Sequence, residues 1–217
     1  MSKVPILVAS FILGAFAVGG VGLVAITHEL THERIAANER AAMLREVAAI
    51  IPTQRMDNDP LQDLIEVSEP DLLGSESTRV YRIRGGGKPV AVVLNPIVPN
   101  GYAGPIKLLV SVLADGTLGG VRVLAHRETP GLGDKIELAK SNWVLGFNGR
   151  SLDNPPEEKW AVKRDGGVFD QFTGATITPR SIVDAVKNTL LFVRQQGAAL
   201  YEMPAIAATA LEKEESR

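Results

Sequence analysis

The 217-residue chain is 45% hydrophobic and 22% charged, a balance that suits a folded domain rather than a disordered one. Its formal net charge of −2 gives no electrostatic case for nucleic acid, which calls for a basic face. With no cysteine, the chain has no disulfides, thiolate metal sites or iron–sulfur clusters.

Val4 to Ile26, VPILVASFILGAFAVGGVGLVAI, carries no charged residue. At ~1.5 Å per residue, a helix of that length covers the roughly 30 Å hydrocarbon core of a bilayer. A cleaved signal peptide has a shorter apolar run ending at a small-residue site, and no convincing A-x-A boundary precedes Thr27. The stretch therefore reads as an uncleaved anchor, residues 1–27, inserted in the lipid bilayer. No second run approaches its length, so the chain is expected to cross once. Charge bias leaves the orientation open. Lys3 lies on one side and Arg34, Arg40 and Arg45 on the other, and long domains often escape the positive-inside rule.

Just past the anchor, His28 to His32 spell HELTH, which matches the H-E-x-x-H pattern of zinc proteases. Such a site needs a third ligand, an open coordination position and a cleft. Here the motif sits where a helix leaves the bilayer, and the remaining histidine, His126, falls on a predicted strand far along the chain. A solvated interfacial turn, with i,i+4 partners for its polar side chains, accounts for the motif better. From Thr27 to Ile51, Leu30, Ala37, Ala41, Leu44, Ala48 and Ile51 mark one apolar stripe of a helical neck, which Pro52 is expected to end. Residues 28–70 are read as neck and linker, with one helical turn in LQDLIEV.

Residues 71–200 read as an α+β domain with an antiparallel sheet and flanking helices. RVYRIR, Arg79 to Arg84, and KPVAVVLNP read as strands joined by a turn at Gly85 to Gly87. IKLLVSVLA and GGVRVLAH flank Asp115-Gly116, a strong hairpin signal. Trp143 to Phe147 and Trp160 to Lys163 are apolar pieces without an assigned element. An amphipathic helix follows, with Thr178 as its N-cap and Pro179 in its first position. Ile182, Val183, Val186, Leu190 and Val193 are on one face, and the stop is near Gly197. Residues 201–217 read as a tail.

The segment DQFTGATITPRS, Asp170 to Ser181, draws attention because a glycine turn delivers Thr176 to the start of that helix. Unsatisfied N–H groups and the macrodipole make this an anion site. Read locally, a glycine turn and a capped helix explain it equally well. Two motifs in order change that balance. Asp170 to Thr176 resembles the D-x-x-[ST]-G-A-T flavinylation motif of the FMN-binding domains in the Rnf and Nqr respiratory complexes. HRETPGLGDKIE, His126 to Glu137, resembles the same family's E-T-P-G-L-G loop. The likeness runs from about Tyr81 to Val193, and the modest length favours the Rnf branch.

This resemblance implies covalent FMN, esterified through its phosphate to Thr176, with Asp170, Thr173, Gly174 and Ala175 completing the attachment motif. It implies a flavin-facing loop formed by Glu128, Thr129, Pro130, Gly131, Leu132 and Gly133. Leu132 is expected on one face of the ring, with Trp143 or Phe172 as candidates for the other. The implied role is an electron-carrier component of an ion-translocating ferredoxin/NAD oxidoreductase complex rather than a stand-alone enzyme. The implied partners are other membrane subunits of that complex and a separate flavin transferase. The implied setting is the bacterial inner membrane, with the soluble domain in the periplasm. A flavinylated component of a sodium-pumping quinone reductase, and a scaffold without a redox role, are the competing readings.

Overall fold

The computed structural model describes residues 4–51 and 56–206. Helix α1 spans Val4–Ala49. Its residues up to Met43 form one compact unit, and the chain from Leu44 onward forms a second. Within the first unit Phe11 and Phe16 are 78% and 77% exposed, as is suited to a surface that lipid covers. The candidate span has a mean hydropathy of 2.2 and none of its most apolar window is buried by protein. The expected apolar stripe holds only at its end. Leu30, Ala37 and Ala41 are exposed, Leu44 and Ala48 half-buried and Ile51 buried in the second unit, where Val47 and Ile50, which the stripe did not include, are buried too. Pro52 lies outside the described residues, and the helix has already ended at Ala49.

The second unit is built on an antiparallel sheet. Its strands are β1 (Leu64–Val67), β2 (Thr78–Gly85), β3 (Lys88–Leu94), β4 (Ile97–Val98), β5 (Ile106–Leu113) and β6 (Leu118–Ala125). The order is β1-β2-β3-β5, with β4 and β6 also pairing with β5. β4 resumes the line of β3 along β5 beyond the break at Asn95-Pro96: Leu94 faces Val110, then Ile97 faces Lys107. The proline removes a ladder donor, so the strand must bend there. Gly116, at φ 84°, turns β5 into β6 as the Asp115-Gly116 signal predicts.

LQDLIEV departs from expectation. Leu64 to Val67 form an edge strand paired with Tyr81 to Thr78, not a helical turn. The short helix α2 (Pro70–Leu73) follows instead. Trp143 and Phe147 lie in a 3-10 helix, Asn142–Phe147, and Trp160 and Phe169 pack with Phe147 in an aromatic cluster. Helix α3 (Ile177–Gln196) is capped at its C-terminus by Gly197. It lays Ile182, Val183, Val186 and Leu190 onto the sheet face formed by Val80, Val92, Leu94, Val110 and Val112. Phe192 is buried, while Val193 is only partly so.

The final helix, α4 (Ala199–Glu202), is fastened to β2. Arg82 is 3% exposed, pairs with Asp63, and donates to the carbonyls of Leu200 and Met203. Arg84 pairs with the other oxygen of Asp63 at 2.7 Å and donates to the Tyr201 carbonyl. The Ile206 N–H donates to the Leu64 carbonyl, so the start of the expected tail is docked on β1. On the other side of the sheet, Ile50 approaches Gly119 and Gly120 of β6, where a Cβ on Gly119 would fall 2.7 Å from the Ile50 carbonyl oxygen. Arg122 donates to the Ala49 carbonyl at 3.3 Å, a basic cap on the end of α1.

Candidate functional site

Phe172 to Ala175 form a β-turn closed by the Ala175 N–H and the Phe172 carbonyl at 3.1 Å. Gly174 occupies its third position at φ 83°, which only glycine adopts without strain. Thr176 follows directly as the N-cap of α3. This corrects the sequence expectation, which put the cap at Thr178 and Pro179 in the first position.

The corrected register changes the chemistry. An N-cap threonine ordinarily accepts from the N–H of the second or third helical residue. Here the third is Pro179, which has no N–H, and Thr176 itself is helical at φ −89°, ψ −29°, with no side-chain capping bond. Its hydroxyl is left for other work. Pro179 is tolerated because N–H groups of the first turn lack intrahelical partners. The first-turn donors are therefore the N–H groups of Ile177 and Thr178.

Opposite stands the ETPGLG loop. Thr129 to Leu132 turn on Pro130 and Gly131, the latter at φ 81°, and the Leu132 N–H donates to the Thr129 carbonyl at 3.1 Å. Asp134, 7% exposed, accepts from the Gly131 N–H at 2.8 Å and holds the turn. Leu132 reaches across to Gly174, where an added Cβ would sit 3.4 Å from its Cδ2. The two motifs are in contact.

Between them lies a cavity of about 370 Å³ lined by Tyr102, Glu128, Thr129, Leu132, Gly133, Gly174, Ala175, Thr176 and Ile177. Of the sequence-predicted residues, Thr176, Gly174, Ala175, Glu128, Thr129, Leu132 and Gly133 are brought together there. Pro130, Gly131, Thr173 and Asp170 do not line it. Asp170 is exposed and pairs with Lys163 at 2.6 Å. Trp143 and Phe172 are not at the cavity either. They pack edge-to-face on each other, and Trp143 Nε1 donates to the Asp170 carbonyl at 2.8 Å. They support the turn from behind. Tyr102 and Ile177, 68% and 47% exposed, offer apolar surface at the cavity's edge. Tyr102 was detectable as a lone aromatic in the loop GYAGP.

Glu128 is 5% exposed and its oxygens are both engaged. Oε2 accepts from Thr178 Oγ1 at 2.6 Å and Oε1 from the Ala103 N–H at 3.1 Å. Its own N–H donates to His126 Nδ1 at 2.9 Å, which leaves the His126 Nε2 proton for Glu137 at 2.6 Å. His126 is thus a bracket of the loop rather than a third ligand for HELTH. In that motif His32 Nδ1 lies 3.0 Å from the Glu29 carbonyl, and the Thr31 hydroxyl donates to the Thr27 carbonyl at 2.7 Å. The exposed Arg180 hydrogen-bonds Asp165 and holds that carboxyl below its ordinary value. The pair ties the preceding loop to the first turn of α3.

The residues present fit a flavin mononucleotide. The cavity is of the size of small-molecule sites, about 300–1,000 Å³. Leu132, Ile177 and Tyr102 supply apolar walls for a flat ring, and the start of α3 supplies N–H donors for a phosphate. Hollows of about 480 and 520 Å³ elsewhere contain no residue of the T-G-A-T segment.

A family profile described as the FMN-binding domain matches residues 101–191, and one described as the RnfG N-terminal region matches residues 1–50. The G component of the ion-translocating oxidoreductase complex of Pseudomonas aeruginosa is 50% identical over 184 residues, covering 84% of this chain and 86% of its own. The chain belongs to this RnfG family. The Vibrio cholerae member is 47% identical over 194 residues, 89% of this chain and 92% of its own. That of Shewanella loihica is 46% identical over 195 residues, with the same coverage. The profile for FMN binding begins at the Gly101 loop that carries Tyr102 and ends within α3, enclosing every wall of the cavity.

Proposed function

We propose that this RnfG-family chain is a membrane-anchored electron-transfer component of an ion-translocating oxidoreductase complex, with FMN esterified to Thr176. The domain faces the periplasm and associates with the other membrane subunits. The observation that carries the reading is the convergence of Thr176 and Leu132, from motifs far apart in sequence, on one cavity.

Thr176 supplies the attachment oxygen. A free hydroxyl is a weak nucleophile without a base. The carboxylate lining the cavity, Glu128, already has both oxygens engaged by Thr178 and Ala103. The resemblance implies that a separate flavin transferase, with FAD as donor, supplies the base and the metal. The Thr176 Oγ–phosphorus bond forms, the pyrophosphate bond of FAD breaks, AMP leaves, and the hydroxyl proton passes to the transferase. The resulting phosphodiester bears one negative charge, which the N–H groups of Ile177 and Thr178 and the α3 dipole favour.

Bound flavin supplies one- and two-electron chemistry that no side chain here provides. The protein's part is to hold and tune it. Leu132, Ile177 and Tyr102 would give the ring apolar contact and the Thr129 side chain would serve its polar edge, since the N–H groups of Gly131, Leu132 and Gly133 are spent within the loop. Attachment keeps the carrier in place outside the cytoplasm, where dissociated FMN is lost.

The test is mass spectrometry of the peptide containing Thr176 from protein co-expressed with a flavin transferase. An added FMN mass on Thr176, absent from a folded Thr176→Val variant, is the expected result. Unmodified wild-type peptide, or covalent flavin retained in Thr176→Val, overturns the assignment.

A further inference from the structure

Three separate segments wall the cavity: the loop bearing Tyr102, the ETPGLG loop, and the start of α3. The same three segments also meet on one carboxylate in the cavity wall. Glu128 belongs to the second segment. Its Oε1 accepts from the N–H of Ala103, next to Tyr102, at 3.1 Å. Its Oε2 accepts at 2.6 Å from the hydroxyl of Thr178, two residues past Thr176. Room for the carboxylate exists because residue 133 is glycine: a Cβ there would fall 2.5 Å from Oε2. Thr178 is 0% exposed and Glu128 5%, so water does not substitute for either bond.

From this we infer that Glu128 and Thr178 are positioning residues that fix Tyr102 and Thr176 in register with Leu132. They act through Tyr102 and Thr176, their own polar atoms being spent on each other and on Ala103. The inference rests on the flavin site proposed above and adds to it a cause for its geometry. Besides this bond, the glycine loop that carries the exposed tyrosine is tied to α3 by the Ser181 hydroxyl, which donates to the Asn100 carbonyl at 2.8 Å. Gly101 and Gly104 flank the segment, and Gly104 sits at φ 126°. Removing the Ala103 anchor frees the aromatic wall, and removing the Thr178 anchor loosens the first turn of α3. Misplacement of about 1 Å at a reacting group lowers rates by up to about a hundredfold. Flavin attachment at Thr176 is the rate that suffers.

The hydrogen-bond pattern also specifies which substitutions rescue. Glutamine at 128 keeps a carbonyl oxygen for the Ala103 N–H and presents an amide N–H to the Thr178 hydroxyl, which accepts as readily as it donates. Serine at 178 keeps the hydroxyl. Alanine at 128 and valine at 178 keep neither function.

The experiment uses the full chain in detergent, in two arms. In the first, hydrogen exchange of the Ala103 amide is followed in protein made without flavin. In the second, the initial rate of flavin attachment is measured with purified transferase and FAD, by in-gel fluorescence. Glu128→Ala should lose Ala103 protection and load about ten- to a hundredfold more slowly. Thr178→Val should keep Ala103 protected yet load more slowly, and Glu128→Gln and Thr178→Ser should return both readouts toward wild type. If Glu128→Ala does not fold, Thr178→Val against Thr178→Ser decides the matter. Wild-type loading in folded Glu128→Ala or Thr178→Val overturns the inference, as does a folded Glu128→Gln as impaired as Glu128→Ala. Wild-type protein that never loads refutes the flavin site instead, and the exchange arm still shows whether Glu128 holds Ala103.

Discussion

Gly133→Ala tests how tightly the ETPGLG loop is built around its buried carboxylate. An ideal Cβ at this position lies 2.5 Å from Glu128 Oε2 and 2.9 Å from Glu128 Cβ, both closer than real contacts allow. Neither atom can retreat freely, because Oε1 and Oε2 are tied to Ala103 and Thr178 and the residue is 5% exposed. Overpacking of this kind costs about 1–3 kcal/mol, and giving up one hydrogen bond to a buried charged group costs about 1.5–3 kcal/mol more. Together they make about 2.5–6 kcal/mol, which at about 2–4 °C per kcal/mol lowers the melting temperature by about 5–24 °C. Gly131→Ala is the control. Gly131 has open space around it but sits at φ 81°, so an alanine there meets only left-handed strain of about 1–2 kcal/mol. The assay is thermal unfolding followed by tryptophan fluorescence, since Trp143 and Trp160 both pack in the folded unit. A Gly133→Ala melting point within about 2 °C of wild type, or a larger loss in Gly131→Ala, refutes the reasoning.

Arg82→Met removes a guanidinium that is 3% exposed and bonds Asp63, Leu200 and Met203. Breaking a buried pair from one side costs about 3–5 kcal/mol, and the low end applies because Asp63 keeps Arg84. Denaturant unfolding with an unchanged midpoint would argue that the α4 latch adds nothing. Asp184 supplies a pH test. Partial desolvation pushes this surface carboxyl above its ordinary value, against the pull of Lys187 and Arg180, so the effect on stability is small. A raised carboxyl contributes stability below the unfolded-state value, about 3.9, and loses it as pH rises through the higher folded value. Asp184→Asn should therefore melt higher than wild type at neutral pH, with the advantage gone below about pH 4. A lower melting point at neutral pH contradicts that sign.

What was legible in the sequence follows the range of the forces involved. The β5–β6 hairpin and the buried face of α3 were readable because Asp115-Gly116 and the spacing of Ile182, Val183, Val186 and Leu190 are local signals. β1 was not. Leu64 to Val67 become a strand only by pairing with β2, and nothing within LQDLIEV distinguishes that from a helical turn. The two motifs named Thr176 and Leu132, which meet at one cavity, but not the partners of Glu128, which lie 25 residues before it and 50 after. Tyr102 carried no periodic or spacing signal at all. Trp143 and Phe172 were attractive as aromatics near the motif, yet hydrophobic burial draws them into the core behind the turn.

The displaced helix start is informative about selectivity. Thr173, Thr176 and Thr178 stand close together in sequence, and the transferase of the proposed attachment would have to choose among them. Had Thr178 capped α3, its hydroxyl would be committed to the helix and Thr176 would dangle in the preceding loop. Instead Thr178 is fully buried with its hydroxyl 2.6 Å from Glu128, out of reach of any donor. Thr173 is exposed at the turn, away from the cavity and the helix N–H groups. Thr176 alone combines a cavity-lining position, an uncommitted hydroxyl and neighbouring first-turn donors. Pro179 reinforces that choice, because the N–H it lacks is one that would otherwise have bound the capping hydroxyl. The proposed preference for Thr176 thus rests on where three hydroxyls are spent rather than on any difference in their intrinsic reactivity.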